Sequence, residues 1–245
     1  MIRNSFIFLE NISARKEQHL WQQGITDWDA FLKTDTIPGI PYQKKQYYNR
    51  KIREARQAWQ ENDSTYFRGK LPASVCWRLY DYFREEAGLL DIEIDSYGKI
   101  TVVGISNYYK TNFLVRGVNL STALLQKEIQ KYKILLTFNG ASFDLPALQK
   151  QFQINLTIPH IDLKPLCIKL GLKGGLKEVE KQLGLNRPAH LYGNPVELWK
   201  AFRASGDQEY LELLLEYNRE DTENLKGVMD YVYGKLKAGM LLRLR

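Results

Sequence analysis

The sequence predicts an α/β protein: a mixed sheet of three antiparallel strands followed by parallel ones, flanked by helices, with an N-terminal helical extension. Three observations predict it. Residues 89–115 hold three short extended runs joined by tight turns, the first with strict apolar/acidic alternation. Residues 121–161 then alternate helical periodicity with short, strongly apolar runs. The segments before and after these are mainly helical in their spacing.

At 245 residues the chain is long enough for one large domain or a domain plus an appendage. Its apolar fraction of 44% is ordinary for a globular protein. The net charge of +7 suits a polyanionic partner. Two cysteines, Cys76 and Cys167, supply neither a disulfide framework nor a four-ligand zinc site, and read as small buried apolar residues. The histidines, His19, His160 and His190, lack metal-ligand spacing. Phe6-Ile7-Phe8-Leu9 is too short for a signal peptide, and no apolar run reaches the ~18 residues that would span a membrane. A soluble, cytoplasmic protein is expected, with no oligomeric state readable.

In chain order, residues 1–36 read as short helices. Ser13 caps one running through Trp21 and ended by Gly24. Thr26 and Asp29 form a capping box for a second, Trp28 to Leu32. The pair resembles a helix-hairpin-helix module, with Asn11-Ile12-Ser13 where such modules place a glycine pair, so a structural hairpin and a nucleic-acid contact both stay open. Thr36 to Pro41 is a linker. A basic, aromatic run follows: Tyr42, Lys44, Lys45, Tyr47, Tyr48, Arg50, Lys51, Arg53 and Arg56, with Glu54 the sole acid. It is either a solvated helix face or a surface tracking a strand, cations on phosphates and tyrosines on bases. Residues 72–87 read as a helix with Trp77, Tyr80 and Phe83 on its apolar side, ending at Gly88. The expected divisions are 1–36, a basic linker and helix over 37–86, the α/β domain over 87–237, and a basic tail over 238–245.

Within the α/β part, strands are expected at Leu89–Asp95, Lys99–Ser106 and Thr111–Val115. A helix, Ser121 to Tyr132, and a strand, Ile134 to Phe138, follow. Asn139-Gly140-Ala141 is a turn, and Ser142 caps a helix from Phe143 to about Gln153. Thr157 to Ile161 forms a last strand. The remaining helices cover parts of 163–184, then 195–204, 207–217 and 219–237.

The first strand carries the chemistry. Leu90, Ile92 and Ile94 fall on one face, Asp91, Glu93 and Asp95 on the other. Carboxylates crowded on one face repel, unless a hard divalent cation sits between them. Further acids stand at element ends: Asp144 in the first turn of a helix, where the dipole tolerates it; Asp162 after a strand; and Asp221, one helical turn from Tyr217 and on the same face.

The order Asp-x-Glu on a strand, Asn-Gly-x-x-Phe-Asp at a strand-to-helix turn and Tyr-x-x-x-Asp on a late helix resembles the DEDD superfamily of 3′–5′ exonucleases, in its tyrosine branch. The segment Asn139-Gly140-Ala141-Ser142-Phe143-Asp144-Leu145-Pro146 looks similar to the proofreading domains of family B DNA polymerases and their stand-alone relatives. The resemblance covers about 88–237, and the element order is that of a ribonuclease-H-like fold. Ile94 stands where relatives often have threonine, and Asp95 is an extra acid. Ribonuclease H endonucleases take their glutamate from a helix, whereas Glu93 shares a strand with Asp91, which favours an exonuclease.

The resemblance implies hydrolysis of single-stranded DNA, with RNA as the alternative, or else a non-catalytic nucleic-acid-binding module. It implies two divalent cations, Mg²⁺ or Mn²⁺. Asp91 would bridge both, Glu93 and Asp221 would complete the first, and Asp144 would hold the second through waters. Tyr217 would orient the attacking water. Asn139, Phe143, Lys173, Lys177 and Arg187 would contact substrate; outside the resemblance, the basic run would add Lys44, Lys45, Arg50 and Lys51 if it tracks a strand. Without cations, at least one of the four acids should have a raised pKa.

Overall fold

The computed structural model describes residues 1–191 and 194–244. A five-stranded sheet has the order β3-β2-β1-β4-β5, with β1 (Ala87–Ile94), β2 (Ile100–Ser106), β3 (Thr111–Val115), β4 (Ile134–Thr137) and β5 (His160–Asp162). β1–β2 and β2–β3 are antiparallel hairpin neighbours, while β1–β4 and β4–β5 run parallel. Parallel neighbours need crossovers. They are α5 (Thr122–Ile129) between β3 and β4 and α6 (Asp144–Phe152) between β4 and β5, numbered after four N-terminal helices.

Those helices are α1 (Ala14–Gln22), α2 (Trp28–Lys33), α3 (Tyr42–Gln60) and the single turn α4 (Tyr80–Phe83). Ser13 caps α1 as expected, accepting from Lys16 N at 3.3 Å. α2 is capped by Asp27, which accepts from Ala30 N at 2.8 Å, rather than by Thr26. The helix expected over 72–87 is mostly 3₁₀, at Ala73–Leu79 and Arg84–Glu86 around α4, and β1 already begins at Ala87. Gly88 does not end that helix. It is a strand residue paired with Leu135, and a Cβ there would stand 2.8 Å from the Tyr132 ring.

The sheet is the middle of three layers. Leu90, Ile92, Val103 and Ile105 pack on α5 and α6 through Leu125, Ile129 and Leu148. The other face is covered by α7 (Leu163–Lys169), α8 (Leu176–Leu183), α9 (Pro195–Ser205) and α10 (Gln208–Leu244). α10 is one helix, not the two expected. Asn218, at the expected break, is buried, and its side chain reaches sideways to the sheet instead of capping a helix. The helix also continues through residues 238–244 of the expected tail, because Leu236 and Met240 are buried in the same core cluster as Leu20 and Trp21 of α1. Arg245 lies outside the described residues. Among the described residues no helix is long and apolar enough to cross a membrane.

One core cluster joins Phe6, Trp28, Phe31 and Tyr48 of the N-terminal segment to β1, β4 and α10. A buried ion pair locks that segment on: Arg78 donates to both Glu17 oxygens at 2.8 and 2.9 Å, and Glu17 also accepts from Phe6 N at 2.7 Å. Both terminal nitrogens of Arg78 and both Glu17 oxygens are hydrogen-bonded, which offsets part of the cost of removing two charges from water.

Candidate active site

β1 lies at the centre of the sheet with α10 across it. Asp91 pairs with Gly104 of β2 and Glu93 with Val102, and the side chains of Asp91, Glu93 and Val102 project toward α10, opposite to Leu90 and Ile92. Gly104 is what lets α10 come close. A Cβ there would overlap Asn218 Oδ1 and stand 3.0 Å from Thr222 Oγ1. Asn218, fully buried, donates through Nδ2 to Asp91 Oδ2 at 2.8 Å. Asp221 follows one turn later, and carboxylate oxygens of Asp91, Glu93 and Asp221 all lie within 4.8 Å of one another.

Asp144 approaches from the other side of β1. β4 pairs only with Ala87–Leu89, so the β1 edge beyond has no strand neighbour there. The first residue of α6 covers it: Asp144 Oδ1 accepts from Ile92 N at 3.2 Å. The turn before α6 aims it. Asn139 is left-handed at φ +68°, and Gly140 packs so tightly on Thr137 that a Cβ would overlap its hydroxyl. Asp162 holds this turn, accepting from Asn139 N at 2.8 Å and Ala141 N at 3.1 Å. It therefore braces the turn from outside the three-acid cluster. Ser142 is not the cap expected; Phe143 takes that position with no side-chain bond.

Asp95 leaves the site. The register slips between Glu93 and Ile94, and Asp95 instead pairs with Arg116 at 2.6 Å and accepts from Tyr97 N and Lys99 N.

The electrostatics match the expectation of a raised carboxylate. Burial, then repulsion from Asp221, pushes Glu93 up to about 8. Burial pushes Asp144 up to about 7. Asp91 is raised by burial and then by Asp221, Glu93 and Asp144, and Asp221 is raised by burial despite an arginine beside it. Acids gathered at this density fit a divalent cation, which removes the repulsion and takes carboxylate oxygens as ligands.

That arginine is Arg187. Its side chain is 3% exposed, and the guanidinium donates to both Glu180 oxygens at 3.0 and 3.2 Å and to Asp221 Oδ1. Asn224 Nδ2 holds Glu180 in turn at 3.1 Å. Arg187 is thus a buried brace on Asp221 rather than a cation open to substrate. Lys177 of α8 is half-exposed, with Nζ 4.4 Å from the centre of the Tyr217 ring. Burial, then the Asp221 charge, raises the Tyr217 phenol above its ordinary value, so it stays protonated and can donate. Lys173 is exposed on the turn before α8, its backbone bonded to the Gln182 side chain. Phe143 is 42% exposed.

The basic run divides. Lys45 is 2% exposed, its Nζ bonded to Asn49 Oδ1 at 2.6 Å and 4.7 Å from the Phe31 ring centre, so it cannot reach a strand in solution. Tyr48 is buried too, its hydroxyl on the Glu10 carbonyl at 2.5 Å. Lys44, Arg50 and Lys51 stay at least partly exposed, the last paired with Glu54 at 2.9 Å.

A family model described as RNase_H superfamily matches residues 89–233, more than half of the chain. The chain belongs to the RNase H superfamily. Comparison with curated proteins and with solved structures finds no match. Membership in the RNase H superfamily points to a nuclease-type hydrolase, and among the described residues Asp91, Glu93 and Asp221 form a cluster that could hold a metal ion.

Sequence reasoning missed Asn218, Gly104 and the Glu180–Arg187 brace. Two signals were present. A lone glycine inside Thr101-Val102-Val103-Gly104-Ile105 marks a close backbone approach. An asparagine in a helix interior invites the question of what its amide bonds.

Proposed function

We propose that this chain is a metal-dependent 3′–5′ exonuclease that hydrolyses single-stranded DNA to nucleoside 5′-monophosphates. The observation that carries the reading is the meeting of Asp91, Glu93 and Asp221 within 4.8 Å, both β1 acids coming from one strand and Tyr217 standing one turn before Asp221. Bound Mg²⁺ or Mn²⁺ ions would neutralise the phosphodiester charge and acidify a water.

Asp91, Glu93 and Asp221 would hold one cation, and Asp144 would contribute to a second together with Asp91. Asn218 fixes the Asp91 carboxylate through Oδ2, and Arg187 fixes Asp221 through Oδ1, so both acids are oriented before any cation arrives. The protonated Tyr217 hydroxyl donates to the attacking water and sets its line of approach. Lys177, beside that ring, would hold a phosphate oxygen. Phe143, half open at the turn into Asp144, offers a face on which the terminal base stacks.

The test is digestion of 5′-labelled single-stranded DNA and RNA in Mg²⁺. Products shortened one nucleotide at a time from the 3′ end are expected, and the two substrates together report the sugar preference. Internal fragments as the first products, or full activity in excess EDTA, would overturn the reading.

A further inference from the structure

A second feature lies on the same face of the sheet as the acids. Past Glu93, the end of β1, the β1–β2 turn and α9 enclose a cleft of about 390 Å³. Its floor is Trp199, 3% exposed, which packs on Val102, the cross-strand partner of Glu93. Its rim carries Arg116, Lys200 and Arg203. Asp95 neutralises one of these, through Arg116 at 2.6 Å, and Glu197 reaches Lys200 only at 3.9 Å. Arg203 has no ionic or aromatic partner among the described residues. Tyr97 stands at the edge with 87% of its surface open, an aromatic ring in no ring contact among the described residues.

An unpaired arginine and a loosely paired lysine beside an open aromatic ring are the elements of single-strand binding: charges for the phosphates, a ring face for a base. Position adds to this. β1 rises ~3.4 Å per residue, so its turn begins roughly 7 Å beyond Glu93, close enough for one strand to occupy both places.

We infer that this cleft is a binding subsite for the single-stranded nucleic acid upstream of the scissile bond, with Arg203 and Lys200 on phosphates and Tyr97 stacked on a base. The inference rests on the exonuclease reading only for the direction of the strand; binding itself is independent of hydrolysis.

The experiment measures binding of a fluorescent single-stranded oligonucleotide by anisotropy, without metal, across a salt series. The wild-type chain is compared with Tyr97→Ala and with Lys200→Ala/Arg203→Ala; all three side chains are exposed, so the fold should be kept. Tyr97→Ala should weaken binding roughly tenfold. The double variant should flatten the log-affinity against log-salt slope by roughly 0.7 per cation removed. Hydrolysis of a small chromogenic phosphodiester is followed in parallel and should not change in these variants. Binding and salt slope equal to wild type in both variants would overturn the subsite, as would an effect of the cations with none of Tyr97. A chain that binds as described but cleaves neither substrate would overturn the hydrolytic reading and leave the subsite supported.

Discussion

Asn218 Nδ2 donates to Asp91 Oδ2 at 2.8 Å, and Gly104, directly across from Asp91 on β2, leaves the space in which that amide sits. The helix that brings Tyr217 and Asp221 is therefore docked on the sheet through the same residue that orients Asp91. Gly104→Ala puts a methyl group where Asn218 Oδ1 now lies. Overpacking of this kind costs about 1–3 kcal/mol. The variant should unfold at lower denaturant and bind Mn²⁺ more weakly than wild type, measured by urea titration and calorimetry. A variant as stable and as tight as wild type would mean that α10 does not rest on Asn218 in this way.

Asp91 has acidic neighbours on β1 and α10, and among the described residues it is in no ion pair. Asp91→Asn removes one charge from the cluster and keeps its shape. It should fold at least as stably as wild type without metal, lose most of its Mn²⁺ affinity, and show no nuclease activity. Retained tight metal binding would place the cation elsewhere.

The raised carboxylates also predict a pH dependence. Glu93 near 8 and Asp144 near 7 bind protons in the folded chain that the unfolded chain has released above pH ~4.5. The native state then holds more protons, so stability falls as pH rises through that window. His160 works in the opposite sense: burial lowers it to about 4, which adds stability as pH rises to about 6.5. The window to read is thus pH 6.5 to 8, where the N-terminal ammonium, lowered by burial from 8.0, opposes the fall but is one group against the several raised carboxylates. In chelator, Tm should fall across it; in Mg²⁺ or Mn²⁺ the fall should shrink, and Glu93→Gln should flatten it. A chelated protein with a level or rising Tm over this range would contradict the repulsion.

Tyr217→Phe tests one hydroxyl. The ring stays packed against Lys177 and Arg187, so stability and metal binding should hardly move. What disappears is a hydrogen bond that matters most in the transition state. Turnover should drop roughly ten- to a hundredfold, about 1.4 to 2.7 kcal/mol, with little change in KM. Parent-rate cleavage at saturating substrate and Mg²⁺ would remove Tyr217 from the chemistry.

α3 separates two kinds of lysine. Lys45→Ala leaves Asn49 Oδ1 unpaired in a buried place and should destabilise the fold by about 1–3 kcal/mol without altering the salt dependence of DNA binding. Arg50→Ala/Lys51→Ala should leave stability nearly unchanged, since exposed pairs with Glu54 contribute little. If α3 touches the strand, that double variant flattens the salt slope by roughly 0.7 for each phosphate that no longer meets a cation. An unchanged slope would make α3 a solvated face.

By itself the sequence determined what local spacing encodes. The alternation along β1 placed Asp91 and Glu93 on one face, because strand side chains alternate whatever lies across from them. The four-residue step from Tyr217 to Asp221 put both on one side of a helix for the same kind of reason. Asn139-Gly140 marked a turn because few other residues accept its backbone angles. Tertiary structure alone decided what depends on neighbours distant in the chain. A lysine in a basic run gives no sign that Phe31 and Asn49 will enclose it, as they enclose Lys45. Asp95 continues the acidic period of β1, and only the register slip beside β2 and the presence of Arg116 turn it away. Arg187 looked like a free cation until Glu180 and Asp221 were seen on either side of it. Periodicity is a property of one segment, whereas burial and pairing belong to two segments at once; the second arrives only when the chain packs.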